Sequence, residues 1–130
     1  MRENRGALTV LEPQASSGAV PFDIARVYWM YDIPADAERE GHAMLSQSEL
    51  VIALAGSLDV VINDGHSIKR FHLDRNYRAL YIPPLTWREI DNFSTNAMTL
   101  TLSSARYDED DYIRSWNRYV EIINTINQEP

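Results

Sequence analysis

The chain has no cysteine among its 130 residues, which excludes disulfides, thiolate nucleophiles and cysteine metal sites. It also lacks any run of about 18 apolar residues, the length a transmembrane helix needs. The N-terminal MRENRGALTVLE carries no apolar core of the kind a signal peptide uses, so the expectation is a soluble cytoplasmic protein. Basic residues are scarce: 12 Lys and Arg stand against 19 Asp and Glu, leaving a formal net charge of −7. That balance argues against nucleic acid or an anionic membrane as partner, since both need clustered cations. An anionic small ligand stays open, met locally by Arg26, Arg39 and Arg88.

What is present is an ordinary globular composition, 45% hydrophobic and 24% charged, in a chain of one-domain length, 1–130. Residues 1–25 hold the extended pieces ALTVLE and VPFDIA around a turn-rich QASSG. RVYWMYD at 26–32 alternates, with Arg26, Tyr28 and Met30 on one face and Val27, Trp29 and Tyr31 on the other. IPADAEREG reads as a loop punctuated by Pro34 and Gly41. Then come ELVIALAG, SLDVVIN and SIKRFHL, the last two joined by a hairpin at Asp64-Gly65. ALYIP stops at Pro83-Pro84, and TWREIDNF and AMTLTLSS flank an NFSTN turn. Many short strands and tight turns specify an all-β sandwich or barrel. In DEDDYIRSWNRYVEIINTI, Ile113, Trp116, Tyr119, Val120 and Ile123 share one helical face. The acids Asp108 to Asp111 stand where a helix start attracts negative charge. One amphipathic helix is expected there, lying against the sheet or a partner subunit.

The densest chemistry lies in Arg39 to Gly56, REGHAMLSQSELVIALAG. His42, Glu49 and Gly56 have the spacing of the first cupin motif, with Met44 where that motif has its second histidine. Pro83 and Asn92 fit the second cupin motif, with Arg88 in place of its histidine. A thioether and a guanidinium replace imidazole ligands poorly, so a metal-free barrel without cofactor is expected. His42 is the candidate acid/base, with an unperturbed pKa of about 6.5; its plain alternative is a barrel-wall histidine. Glu49 either orients His42 or holds a ligand hydroxyl, or is simply a charged residue at a strand start. Arg88 alternates with Thr86 and Ile90. It either points inward at a phosphate or sugar oxygen or makes a rim salt bridge with Glu89 or Glu38. Tyr28, Tyr31, Tyr77, Tyr81 and Trp87 either line a pocket or fill the core, and His66 and His72 read as surface residues.

The blocks RGALTVLE, VPFDIARVYWMYDIP, GSLDVVINDG, LYIPPLTWREIDNFS and YDEDDYIRSW together resemble the sugar 3,4-ketoisomerase family. The resemblance implies a cupin-type double-stranded β-helix (jelly-roll) barrel with a C-terminal α-helix, in a homodimer that exchanges N-terminal strands. It implies a metal-free isomerase acting on a dTDP-linked 4-keto-6-deoxyhexose in deoxysugar biosynthesis. The carbonyl would move from carbon 4 to carbon 3 through an enediol. The family's loop reads Arg-Gly-x-His-Ala-His-Lys, whereas this chain has Arg39-Glu40-Gly41-His42-Ala43-Met44-Leu45. His42 carries over as the base, and Met44 cannot transfer a proton. The expected catalytic pair is His42 and Tyr28, with Arg26, Arg39, Glu49, Tyr81 and Arg88 against the substrate. Met44 also favours a second reading, a non-catalytic nucleotide-sugar binding module serving another sugar-pathway enzyme.

Overall fold

The computed structural model describes residues 2–3, 6–7, 20–34 and 39–128. Strands β1 (Arg2–Glu3) and β2 (Gly6–Ala7) pair with each other as a separate antiparallel ribbon. The barrel strands are β3 (Arg26–Met30), β4 (Arg39–Met44), β5 (Glu49–Ala55), β6 (Leu58–Asn63), β7 (Ile68–Leu73), β8 (Ala79–Ile82), β9 (Trp87–Asp91), β10 (Met98–Ser103) and β11 (Tyr112–Ile113). They form two antiparallel sheets, ordered β3-β10-β5-β8 and β11-β4-β9-β6-β7. Apart from the β6–β7 hairpin, each strand crosses to the opposite sheet from its predecessor. That alternation closes an all-β cupin-type jelly roll, with one α-helix among the described residues, α1 (Trp116–Gln128), at its C-terminal end.

β5 reads as a continuous apolar run because both its faces are covered. Val51 and Ala53 join Leu58, Val60, Ile82 and Phe93 in the core between the sheets. Leu50 faces the other way and packs with Val20, Leu102 and Phe22. VPFDIA, expected as an extended piece, is an irregular segment that buries Val20 and returns to the sheet where Ala25 N donates to Ser103 O at 2.9 Å. Most of ALTVLE, and all of QASSG, lie outside the described residues.

Two boundaries differ from expectation. The strand at 26 ends at Met30, because Asp32 has φ of 55°, and β4 begins at Arg39 inside the expected loop. The Asp64-Gly65 signal marks a hairpin whose loop has four residues, since Asn63 pairs with Ile68. The Asp64 carboxylate closes that loop by accepting from His66 N and Ser67 N, and Gly65 supplies φ of 90°.

The C-terminal helix starts later than the apolar spacing indicated. Glu109–Asp111 is a single 3-10 turn and Ile113 is in β11, which pairs with β4. Asp111 is buried rather than displayed at a helix start: its carboxylate accepts from Ser46 N, Ser46 Oγ and Gln47 N. The helix itself is capped by Ser115, whose Oγ accepts from Arg118 N at 3.3 Å. Tyr119 then packs with Ala43, Trp87 and Ile113 outside the second sheet, joined by Ile122 and Ile123.

Candidate active site

Between the sheets lies a cavity of about 610 Å³. Strand parity decides its lining. Arg26, Tyr28 and Met30 project into it from β3, Glu49 and Val51 from β5, Arg88 and Ile90 from β9, and His42 from β4. The far wall comes from the segment before the helix, through Tyr107, Tyr112 and Arg114.

Glu49 is the hub. It is 2% exposed, and its Oε1 accepts from Arg88 Nη1 at 2.8 Å. Its Oε2 accepts from Tyr28 at 2.9 Å and from Ser103 at 2.7 Å, with Arg26 Nη2 at 3.6 Å. Burial, reinforced by this carboxylate, raises the Tyr28 pKa well above the ordinary phenol value. Burial likewise lowers that of Arg88, against the pull of Glu49. Arg88 Nη1 also reaches His42 Nε2 at 3.3 Å. A guanidinium nitrogen can only donate, so Nε2 is the acceptor there and His42 carries its hydrogen on Nδ1. The unprotonated nitrogen of the candidate base is thereby identified.

A second cluster lies on the far wall. Arg26 Nη2 donates to the Tyr112 hydroxyl at 3.1 Å, to Ser103 Oγ at 3.3 Å and to Gln47 Oε1 at 3.4 Å. The Tyr112 ring lies 5.2 Å from that of His42, and the Arg114 guanidinium covers it at 4.4 Å. Arg114 is held in turn by Glu109, and Tyr107 donates to the same carboxylate. These bonds, from Arg114 first, hold Glu109 at a pKa of about 2.

The cupin metal positions are filled by groups that do not suit a metal. Arg88 brings a cation between His42 and Glu49, bonded to both. Met44 is fully buried and is not part of the cavity wall. Among the described residues no three His, Cys, Asp or Glu side chains cluster as a ligand set.

Of the sequence candidates, His42, Tyr28, Arg26, Glu49 and Arg88 converge on the cavity. Arg88 is no rim salt bridge: it is 2% exposed and paired with Glu49. Tyr81 is corrected. It faces outward from β8 because Leu80 and Ile82 take the inner face, and it is 44% exposed against Ser48 and Phe22. Arg39 is placed by its backbone opposite Ile90, and its side chain lies outside what is described. Tyr31 and Tyr77 are exposed, and Trp87 is core beneath the helix. His72 is exposed and pairs with Asp59 at 2.6 Å, and His66 is exposed at the hairpin. Tyr107, Tyr112 and Arg114 were missed. The signal was the YDEDDYIR string itself, whose apolar spacing suits a helix equally well.

Fold and site together define a cupin-type barrel whose cavity gathers a histidine, a buried glutamate, arginines and tyrosines. The sequence model of the FdtA family (WxcM-like, C-terminal) matches residues 1–124. A TDP-4-oxo-6-deoxy-alpha-D-glucose-3,4-oxoisomerase of Aneurinibacillus thermoaerophilus is 34% identical over 127 residues, 98% of this chain and 89% of that one. The TDP-quinovose 3,4-ketoisomerase of Campylobacter jejuni superposes with a TM-score of 0.87 at 37% identity, covering 93% of this chain and 91% of that one. A histidine-to-asparagine variant of the Thermoanaerobacterium thermosaccharolyticum 3,4-ketoisomerase, in complex with TDP-4-keto-6-deoxyglucose, superposes with a TM-score of 0.92. Its identity is 31%, over 99% of this chain and 91% of that one. The chain belongs to this family of sugar 3,4-ketoisomerases, and it is an isomerase by kinship.

Proposed function

We propose that the protein converts a dTDP-linked 4-keto-6-deoxyhexose to its 3-keto isomer, by acid–base chemistry that uses no metal. The observation that carries this reading is the unprotonated His42 Nε2, held by Arg88 in a cavity beside two arginines and a buried carboxylate. His42 removes the carbon 3 proton to give an enediol and returns a proton at carbon 4. Tyr28 partners His42 in proton transfer, and Arg26, Glu49 and Arg88 form the wall that binds the sugar, with Arg39, whose backbone pairs opposite Ile90, as a further substrate contact. The relatives named above act on, or hold, TDP-linked sugars, which supports dTDP as the carrier. The Arg88 guanidinium between His42 and Glu49 supports the metal-free reaction, since a second cation there would meet it at close range.

We further propose a cytoplasmic homodimer, with N-terminal strands exchanged, serving deoxysugar biosynthesis. In support, β3 is an edge strand that leaves Val27 and Trp29 exposed on its outer face, with Tyr31 exposed just beyond its end. The binding-module reading rests on Met44. Met44 is fully buried and lies opposite Tyr112 in the β4–β11 register, on the face of β4 that carries His42, so its thioether occupies the place of the motif's second histidine.

The test is incubation with dTDP-4-keto-6-deoxyglucose in deuterated water, followed by proton NMR. Deuterium at carbon 3 or carbon 4, absent in His42→Asn, establishes the isomerase. Ligand shifts without deuterium in the wild-type protein would instead favour the binding module.

A further inference from the structure

Leu85 is bent into the left-handed region, with φ of 60°, in the turn between β8 and β9. A branched aliphatic residue takes that conformation only where its surroundings impose it. Here both polar groups of its backbone are held, each by a different element. Leu85 N donates to Met44 O, at the end of β4, at 2.7 Å. Leu85 O accepts from the Tyr119 hydroxyl, on α1, at 2.9 Å. Tyr119 is fully buried outside the second sheet, and the other carbonyl in its reach, Asn63 O, is farther at 3.3 Å.

These bonds fall where the strands carrying His42 and Arg88 are loosely tied. β4 and β9 pair at Arg39–Ile90 and at His42–Arg88. Between those pairs the register slips, because three steps along β4 face two along β9. Beyond that bulge the Leu85–Met44 bond fastens the start of β9 to the end of β4, two residues past His42 and three before Arg88. The side-chain contact that this register sets, Arg88 Nη1 to His42 Nε2, is 3.3 Å. That is already long for a hydrogen bond, and a shift of about half an ångström loses it.

Resting on the isomerase reading above, we propose that Tyr119, on the helix outside the barrel, is a positioning residue for the reaction. Its hydroxyl holds the Leu85 carbonyl, the strained turn holds β9 in register, and the register brings Arg88 to His42. That contact keeps the hydrogen of His42 on Nδ1 and makes Nε2 the basic nitrogen. Without the hydroxyl the turn loses one of its two holds and relaxes toward the negative φ that leucine prefers, and the first residues of β9 move with it. Tyr119 itself is no part of the cavity wall.

The test is Tyr119→Phe, which keeps the ring in its cluster and removes only the hydroxyl. A catalytic group misplaced by about 1 Å costs about 10²-fold in rate, and the hold from Met44 remains. With dTDP-4-keto-6-deoxyglucose, kcat is therefore expected to fall about tenfold, with KM and TDP affinity within about threefold of wild type. Nitrogen NMR shifts of the His42 ring read the tautomer directly: the hydrogen on Nδ1 in wild type gives way to a mixture of both tautomers. Ile122→Ala is the control, since it loosens the packing of the same helix and keeps the hydroxyl. Its melting temperature falls while its kcat and His42 tautomer stay as in wild type. Turnover within about threefold of wild type in Tyr119→Phe overturns the assignment, as does an unchanged tautomer. An equal fall in kcat in Ile122→Ala also overturns it, because activity would then follow helix stability in general. Wild-type protein that binds TDP but neither exchanges nor isomerises overturns the reaction reading instead. The tautomer in Tyr119→Phe then still decides whether the hydroxyl sets the contact between Arg88 and His42.

Discussion

Replacing Arg88 by methionine should expose how the cavity is held together. Arg88 and Glu49 are each 2% exposed and meet at 2.8 Å. Methionine fills a similar path through the core but removes the nearest cation from a carboxylate that is 2% exposed. Breaking a buried ion pair by deleting one partner costs about 3–5 kcal/mol, because the remaining charge stays buried. Here Arg26 remains at 3.6 Å, and the hydroxyls of Tyr28 and Ser103 still donate to Oε2. Both place the loss at the low end, about 3 kcal/mol, or a factor of roughly 150 in the folding constant.

Urea unfolding of both proteins at pH 7 measures the loss, with m-values compared to confirm that the native states expose the same surface. A difference below about 1 kcal/mol would refute the premise that Arg88 is the countercharge on which the buried Glu49 depends. The paired variant Glu49→Leu with Arg88→Met should be less destabilised than either single change, since it leaves no unpaired charge.

Three further outcomes follow from particular contacts. A Cβ on Gly41 would lie 2.5 Å from Trp87 Nε1, so Gly41→Ala must displace a buried indole; a loss of about 1–3 kcal/mol is expected, with a changed tryptophan emission spectrum. The Tyr119 hydroxyl donates to Leu85 O at 2.9 Å and Asn63 O at 3.3 Å, so Tyr119→Phe should cost about 1–2 kcal/mol by thermal unfolding without changing TDP binding. Tyr28 holds its proton more tightly folded than unfolded, so this contribution is fully present below the ordinary phenol pKa of about 10 and is lost as pH rises above it. Wild type should therefore lose stability between pH 9 and pH 11 more steeply than Tyr28→Phe does, as read from urea midpoints at the two values.

The barrel was legible because its strands carry two independent signals that agree. β3 alternates, so parity alone put Arg26 and Tyr28 on one face, and that face is the cavity. β9 did the same for Arg88 and Ile90. β8 held the same information in Leu80 and Ile82, which claim the inner face and turn Tyr81 outward. Weighing the apolar neighbours on each side of the aromatic residue would have placed it on the outer face. The far wall was illegible for a different reason. β11 is two residues long, too short to show a period of two, and Ile113, Trp116 and Tyr119 have helical spacing although the first belongs to a strand. The acids that imitate a helix start include Asp111, whose function is to bind the Ser46–Gln47 backbone from inside the fold.

That short strand changes what the Met44 substitution means. Counted along β4, a histidine position has been lost beside His42, and the site looks half dismantled. In the sheet, Met44 and Tyr112 are register partners, and Met44 is fully buried while Tyr112 lines the cavity. Tyr112 is brought there by a 3-10 turn that Asp111 fastens to the β4–β5 loop, and its oxygen is fixed by Arg26. Proton-transfer groups are counted properly over a cavity wall rather than along a motif. On that count the cavity wall holds one imidazole and two phenols, Tyr28 from β3 and Tyr112 from β11, the latter with its ring 5.2 Å from that of His42.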